Sequence, residues 1–374
     1  MDSTFNTNLS GNNQLQYFNY YFLFAYCLLI EYIIPYGIFS FAKLFFPLIF
    51  VLVALDLLKK NRIKLIDVIF LFSFAVVTTI SFTYNSIISS VIIFIIYFLE
   101  KGDLKIKKSF EVSLILLSTL FLFFYIHPSP YAGRYMSNIP DPNMTGVMFL
   151  FVFFFLQKNK FYILSLFIII TGIFFSESRN FIMAIFIYIL ISMLKRNNIV
   201  YKMLSFLNVY KLFIMFGLLS VIITFAYLFY YKQVTFQDTQ TRVLTITDSS
   251  NLLRFSINAY FLNYLVHHVG ILFHGISNYS AFFMANAGRK IHNSYFSVIA
   301  KSGVLYSMFY FYFLSWILNK HYTYRNYEYI ISFLFFSMFI MDCFESYFLI
   351  LFWYSLRSET KMQRKNTIKL RFRL

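Results

Sequence analysis

Five side chains outside the long apolar runs have the chemistry to act on an anion: Arg134, Arg179, Arg242, Arg254 and His292. A guanidinium presents a fixed fork of donors that matches two phosphate oxygens at once, which a lysine ammonium cannot do. An imidazole at a water boundary titrates near neutrality and takes a proton from a hydroxyl. Asp141, Asn143 and Asn293 lie beside these residues in the sequence as supporting polar groups. Each residue also has a plainer reading. Arg179 pairs with Glu177 or reaches phospholipid, Arg134 pairs with Asp141, Arg242 and Arg254 contact headgroups, and His292 bonds backbone. Taken singly, none decides. As a set, with few acids to neutralise them, they suit an anionic substrate.

The elements that must position this set are apolar. Aromatic residues make up 23% of the chain and charged residues only 13%. A run of about 20 apolar residues crosses a bilayer as a helix, and lipid leaves no other partner for its backbone polar groups. The expected fold is an all-α polytopic membrane protein of about twelve spans: 17–34, 36–58, 65–82, 84–99, 110–126, 143–156, 161–175, 180–194, 212–230, 294–318, 329–343 and 345–356. The whole chain, 1–374, reads as a single integral membrane domain. The first sixteen residues are polar and Asn-rich, so no cleavable signal is expected. Cys27 and Cys343 both sit in apolar runs and read as packing residues.

Charge sets the orientation. Loops assigned to the inside, with the tail 357–374, hold 23 of the 32 lysines and arginines. The outer loops hold seven, and Lys43 and Lys301 fall within spans. This bias places both termini in the cytoplasm. The net charge of +17 therefore mainly fixes sidedness, and the basic tail reads as a lipid anchor rather than a nucleic-acid site. Five of six histidines (His127, His267, His268, His274 and His292) fall outside, although the topology was drawn from Lys and Arg alone.

Three outer segments follow. Residues 127–143 form a Pro-rich turn, 176–180 a tight Ser-Glu-Ser-Arg-Asn turn, and 231–293 one long polar loop. Within the long loop, 251–269 repeats apolar residues near helical period. It reads as an amphipathic helix on the outer interface, with its apolar side in acyl chains and Arg254 at headgroup level. The chain has no Gly-rich phosphate loop, no GxSxG elbow and no Asp-x-Asp pair, so metal-dependent chemistry is disfavoured.

His292-Asn293 followed by Gly303 and Tyr306 resembles the His-Asn signature of the O-antigen ligase/O-antigen polymerase superfamily. Ser178-Arg179 at a span start, Ser250 to Arg254 ahead of a helix, and Asp141-Pro142-Asn143 are similar to its other elements, over roughly 130–310. His274-Gly275 lacks the double glycine often found there. The resemblance implies a metal-independent, cofactor-free inverting glycosyltransferase at the outer face of a bacterial inner membrane. Its donor would be a glycan on undecaprenyl diphosphate, with membrane lipids, a chain-length regulator and a flippase as partners. His292 would be the acceptor-activating base, and Arg179, Arg254 and Arg242 would hold diphosphate. The branch favoured is the polymerase of lipid-linked repeat units, on the short, very aromatic chain. The alternatives are a ligase to lipid A–core and a repeat-unit flippase, the latter disfavoured by uneven loops.

Overall fold

In the computed structural model the chain is described at residues 64–81, 83–101, 127–128, 135–136, 142–233, 249–288, 290–340, 343–344 and 348–357. The expected spans 17–34, 36–58 and 110–126 and the basic tail lie outside these residues, as do Arg134, Asp141 and Arg242. The described fold is all-α apart from one two-residue antiparallel pair. That pair, β1 (His127–Pro128) and β2 (Tyr135–Met136), sets His127 opposite Met136 and turns the Pro-rich segment into a hairpin.

The helices are α1 (Leu65–Ser81), α2 (Tyr84–Lys101), α3 (Pro142–Lys158), α4 (Tyr162–Ser176), α5 (Arg179–Leu194), α6 (Asn198–Phe206) and α7 (Val209–Gln233). Then come α8 (Ser249–His267), a 3-10 turn (Val269–Leu272), α9 (Tyr279–Ala287), α10 (Ser294–Ser302), α11 (Val304–Asn319), α12 (Tyr327–Phe336) and α13 (Phe348–Arg357). Most boundaries fall within three residues of the expected ones. Among the described residues, one helix is long and apolar enough to cross a membrane by itself, Val209–Tyr230 within α7. The pair α5 and α6 passes the same test jointly but is bent by 115°.

α3 is the central element. Every residue from Thr145 to Leu156 is buried, so this helix is wrapped by the others on all sides. Its rings interlock with α12 and α13: Phe154 meets Tyr329 at 5.3 Å and Phe352 at 6.2 Å. A second aromatic layer joins α1, α2 and α11 through Phe74, Phe94, Tyr306 and Phe313. Such pairs contribute about 0.5–1.5 kcal/mol each beyond area burial. The peripheral helices α1, α4 and α7 keep large apolar side chains exposed, including Phe72, Phe174 and Phe229.

The described parts of the loops expected inside meet at one end of the bundle. Lys195 Nζ lies 2.6 Å from Glu328 Oε1, Lys158 Nζ reaches Asn326 Oδ1 at 3.4 Å, and Asn326 Nδ2 donates to Leu356 O. His321 Nε2 and Trp353 Nε1 both contact Glu100 Oε2 at 3.0 Å. The segment expected as an inner loop, 195–211, contains the short α6. Asn197 caps it by accepting from Ile199 N, and the hydroxyl of Tyr322 donates to Leu204 O. Burial pushes the Tyr322 phenol well above its ordinary range and keeps it a donor.

Two expectations about elements are corrected. The run 294–318 is not one continuous helix: it breaks at Gly303 into α10 and α11. Gly303 has φ 85° and ψ 164°, a conformation essentially reserved for glycine. The helix 251–269 is present as α8 but does not lie with one polar side toward water. Phe255 stacks on Tyr227 of α7 at 4.3 Å, and Tyr264 meets Phe282 of α9 at 5.0 Å. Its buried stripe is Ile257, Asn258 and Phe261, which turns a residue of the expected polar side into the protein.

Candidate functional site

The opposite end of the bundle gathers motifs that are far apart in sequence. α4 ends at Glu177 in the left-handed conformation, φ 41°, which reverses the chain within the Ser-Glu-Ser-Arg-Asn turn. Ser178 then caps α5 by accepting from Phe181 N at 3.4 Å, and its hydroxyl donates to Asn143 Oδ1 at 3.5 Å. This joins the start of α5 to the start of α3. Arg179 is the first residue of α5 and is half-buried. The next residue, Asn180, donates to Phe339 O at 3.0 Å.

The His-Asn segment arrives at the same place. Ser294 N donates to Ser337 O at 2.9 Å, its hydroxyl donates to Ile340 O at 2.6 Å, and Cys343 N donates to that hydroxyl at 3.0 Å. Asn293 accepts from Tyr295 N and Phe296 N, so it is the N-cap of α10. His292, just before it, is half-buried. Arg179 and His292 thus each stand within two residues of a group tethered to the one turn 337–343. That turn was missed in the sequence, where 329–343 reads as uninterrupted apolar helix.

The start of α3 is thus bonded to the start of α5, and the starts of α5 and α10 are both tethered to the 337–343 turn. Each helix N-terminus carries roughly half a positive charge in unsatisfied N–H groups, so the backbone adds to the field of Arg179. Arg254 is placed less directly. It sits on α8 with Nε buried, two turns before Phe261, which meets Phe296 of α10 at 5.9 Å. On the same face, Asn258 is buried and its Oδ1 has no hydrogen-bond partner among the described residues. It is an acceptor suited to a sugar hydroxyl.

Lys301 also belongs here. Because α10 stops at Gly303, Lys301 does not lie in the middle of a long helix. It is buried at this end of the bundle, 5.4 Å from the centre of the Tyr279 ring. The Tyr279 hydroxyl in turn accepts from Ile291 N at 3.2 Å, beside His292. Ser302 O accepts from Ser81 Oγ at 2.6 Å, which ties this level to the end of α1. The segment 273–276 closes over the joint: Ile276 N donates to Ala300 O, and His274 Nδ1 donates to Ile80 O. His274 is thereby a backbone tie. Tyr306, one turn into α11, bonds Ser89, Ser90 and Ser86 of α2 and is structural.

Among the described residues no three His, Cys, Asp or Glu side chains are grouped as a metal site requires. Comparison of the chain with protein-family models, with curated proteins and with solved structures finds no match.

Proposed function

We propose that this chain is a multi-pass inner-membrane glycosyltransferase, an O-antigen type polymerase joining undecaprenyl-diphosphate-linked repeat units on the outer face. The observation carrying the reading is that the residues beside Arg179 and His292, 113 positions apart in the sequence, are tethered to the same 337–343 turn, with the start of α3 bonded to the start of α5. The bilayer placement is supported by the exposed apolar faces of α1, α4 and α7, since soluble monomers rarely expose such continuous surface.

In this reading an acceptor hydroxyl attacks the anomeric carbon of the donor, and its bond to the diphosphate oxygen breaks. His292 takes the hydroxyl proton. Arg179, with Arg254 and Lys301 nearby, stabilises charge developing on the departing diphosphate without a metal ion. Asn258 orients a sugar hydroxyl. Positioned proton transfer contributes typically about 10²- to 10⁴-fold, so His292→Ala is expected to abolish visible chain extension while expression persists. Arg179→Ala is expected to do the same.

The test is complementation of a deletion strain, with the surface glycan resolved by size. Loss of the gene should leave single-repeat glycan. Uncapped core with accumulated lipid-linked polymer would instead assign a ligase. Normal chain lengths in both variants would remove the site.

A further inference from the structure

The inner end of the bundle holds a cavity of about 210 Å³. Lys158 and Lys160 of the α3–α4 turn, Lys195 at the end of α5 and Arg325 of the α11–α12 loop line it, with Thr323 and Tyr324. Among the described residues none of its lining side chains is a carboxylate. Of these cations Lys195 is already paired with Glu328, which does not itself line the cavity, and its Nζ also donates to Tyr324 O at 2.9 Å. Lys160 stands at φ 66°, a left-handed conformation unfavourable for a non-glycine residue. The turn thus holds a cation at the cavity against local preference.

A second feature starts at the same place. Tyr162 lines the cavity and opens α4, whose outward face carries Ile163, Leu166, Phe167, Ile170 and Phe174. These positions share one side of the helix and are exposed, Ile163 by 89% and Phe174 by 73%. The stripe runs from the cavity along nearly the whole helix. Basic pockets between helices on the cytoplasmic side suit anionic headgroups.

We propose that this cavity binds the phosphodiester headgroup of an anionic phospholipid, with one acyl chain lying along α4. A soluble phosphate would engage the cations and leave the stripe uncovered. The inference rests on the bilayer placement and not on glycosyl transfer.

The test uses the full chain purified in neutral detergent and titrated with phosphatidylglycerol or phosphatidylcholine, bound lipid being read by native mass spectrometry. Phosphatidylglycerol should be retained over phosphatidylcholine. Lys160→Gln with Arg325→Gln should weaken that retention about fivefold for each charge removed. Arg196→Gln with Lys202→Gln removes the same charge from exposed positions that do not line the cavity, and should leave retention unchanged. Equal loss from both pairs, or none from the cavity pair, overturns the proposal as diffuse surface attraction. Displacement of the lipid by equimolar glycerol phosphate overturns it in favour of a soluble ligand. A chain that stays dispersed without detergent overturns the bilayer placement and this site together.

Discussion

At Gly275, an added methyl would lie 1.8 Å from Lys301 O and 2.5 Å from Ser302 N, all backbone atoms with nowhere to go. Gly275→Ala must therefore lift the 273–276 segment off α10. Overpacking of this kind costs about 1–3 kcal/mol and occasionally more. Gly303→Ala meets Phe273 carbonyl atoms at 3.0 Å and in addition forces alanine into a glycine-only backbone region, again about 1–3 kcal/mol. Gly270→Ala meets nothing within 4 Å and serves as the control. Thermal midpoints in detergent should fall for the first two and hold for the third; three unchanged midpoints would refute the packing of this segment on α10. Asn293 calls for a different discrimination. As an N-cap it contributes about 1 kcal/mol, so Asn293→Ala should lower stability, and Asn293→Ser or Asn293→Asp should restore stability and chain extension together. An amide acting on substrate would not be replaced by either. The sequence marked Asn293, Gly303 and Tyr306 as notable, but the jobs of all three are capping, bending and tying. Residue type is visible in one dimension; the partner that decides its role is not.

At the scale of elements, periodicity located most helices because apolar runs end where Ser178, Asn197 or Asn293 offers a cap. It failed where a run continues through a break. Val304 to Leu318 is as apolar as a span, and a lone glycine before it has no special weight until its φ is known. Lys301 was misplaced into the middle of a long helix for that reason. α8 failed differently: counting polar positions along 251–269 identifies a stripe but not which side faces protein, and here Asn258 faces in. The inner end offers the sharpest element-level prediction. Lys195 closes α5, Glu328 opens α12, and both are buried, 9% and 5% exposed. Removing one member of such a pair strands the other and costs about 3–5 kcal/mol, whereas replacing both is far milder. Lys195→Met should be strongly destabilising, and adding Glu328→Gln should recover much of the loss in a thermal double-mutant cycle. If the two losses simply add, the pair does not hold α5 to α12.

For the whole molecule, sidedness is the property on which the proposed site depends. Lysine and arginine counts sort the loops into two sets. The fold then gathers one set, carrying Glu100, Lys158, Lys195, His321 and Leu356, at one end, and the motifs around Asn143, Ser178 and Ser294 at the other. Such segregation of basic loops is what the proposed insertion requires. The shortness of α10 and α12 follows from their ending at the breaks at Gly303 and Ser337, which composition alone smooths over. Cysteine accessibility decides the matter. In a Cys27→Ser background, with Cys343 buried and hydrogen-bonded through its backbone, single cysteines replace exposed Asn286 near the His-Asn segment and exposed Thr323 beside the inner cavity. An impermeant maleimide applied to spheroplasts should label the first readily and the second only after lysis. Labelling in the reverse order would put His292 and Arg179 with the cytosolic nucleotide sugars, and a transfer from lipid-linked donors at the outer face would have no site to occur in.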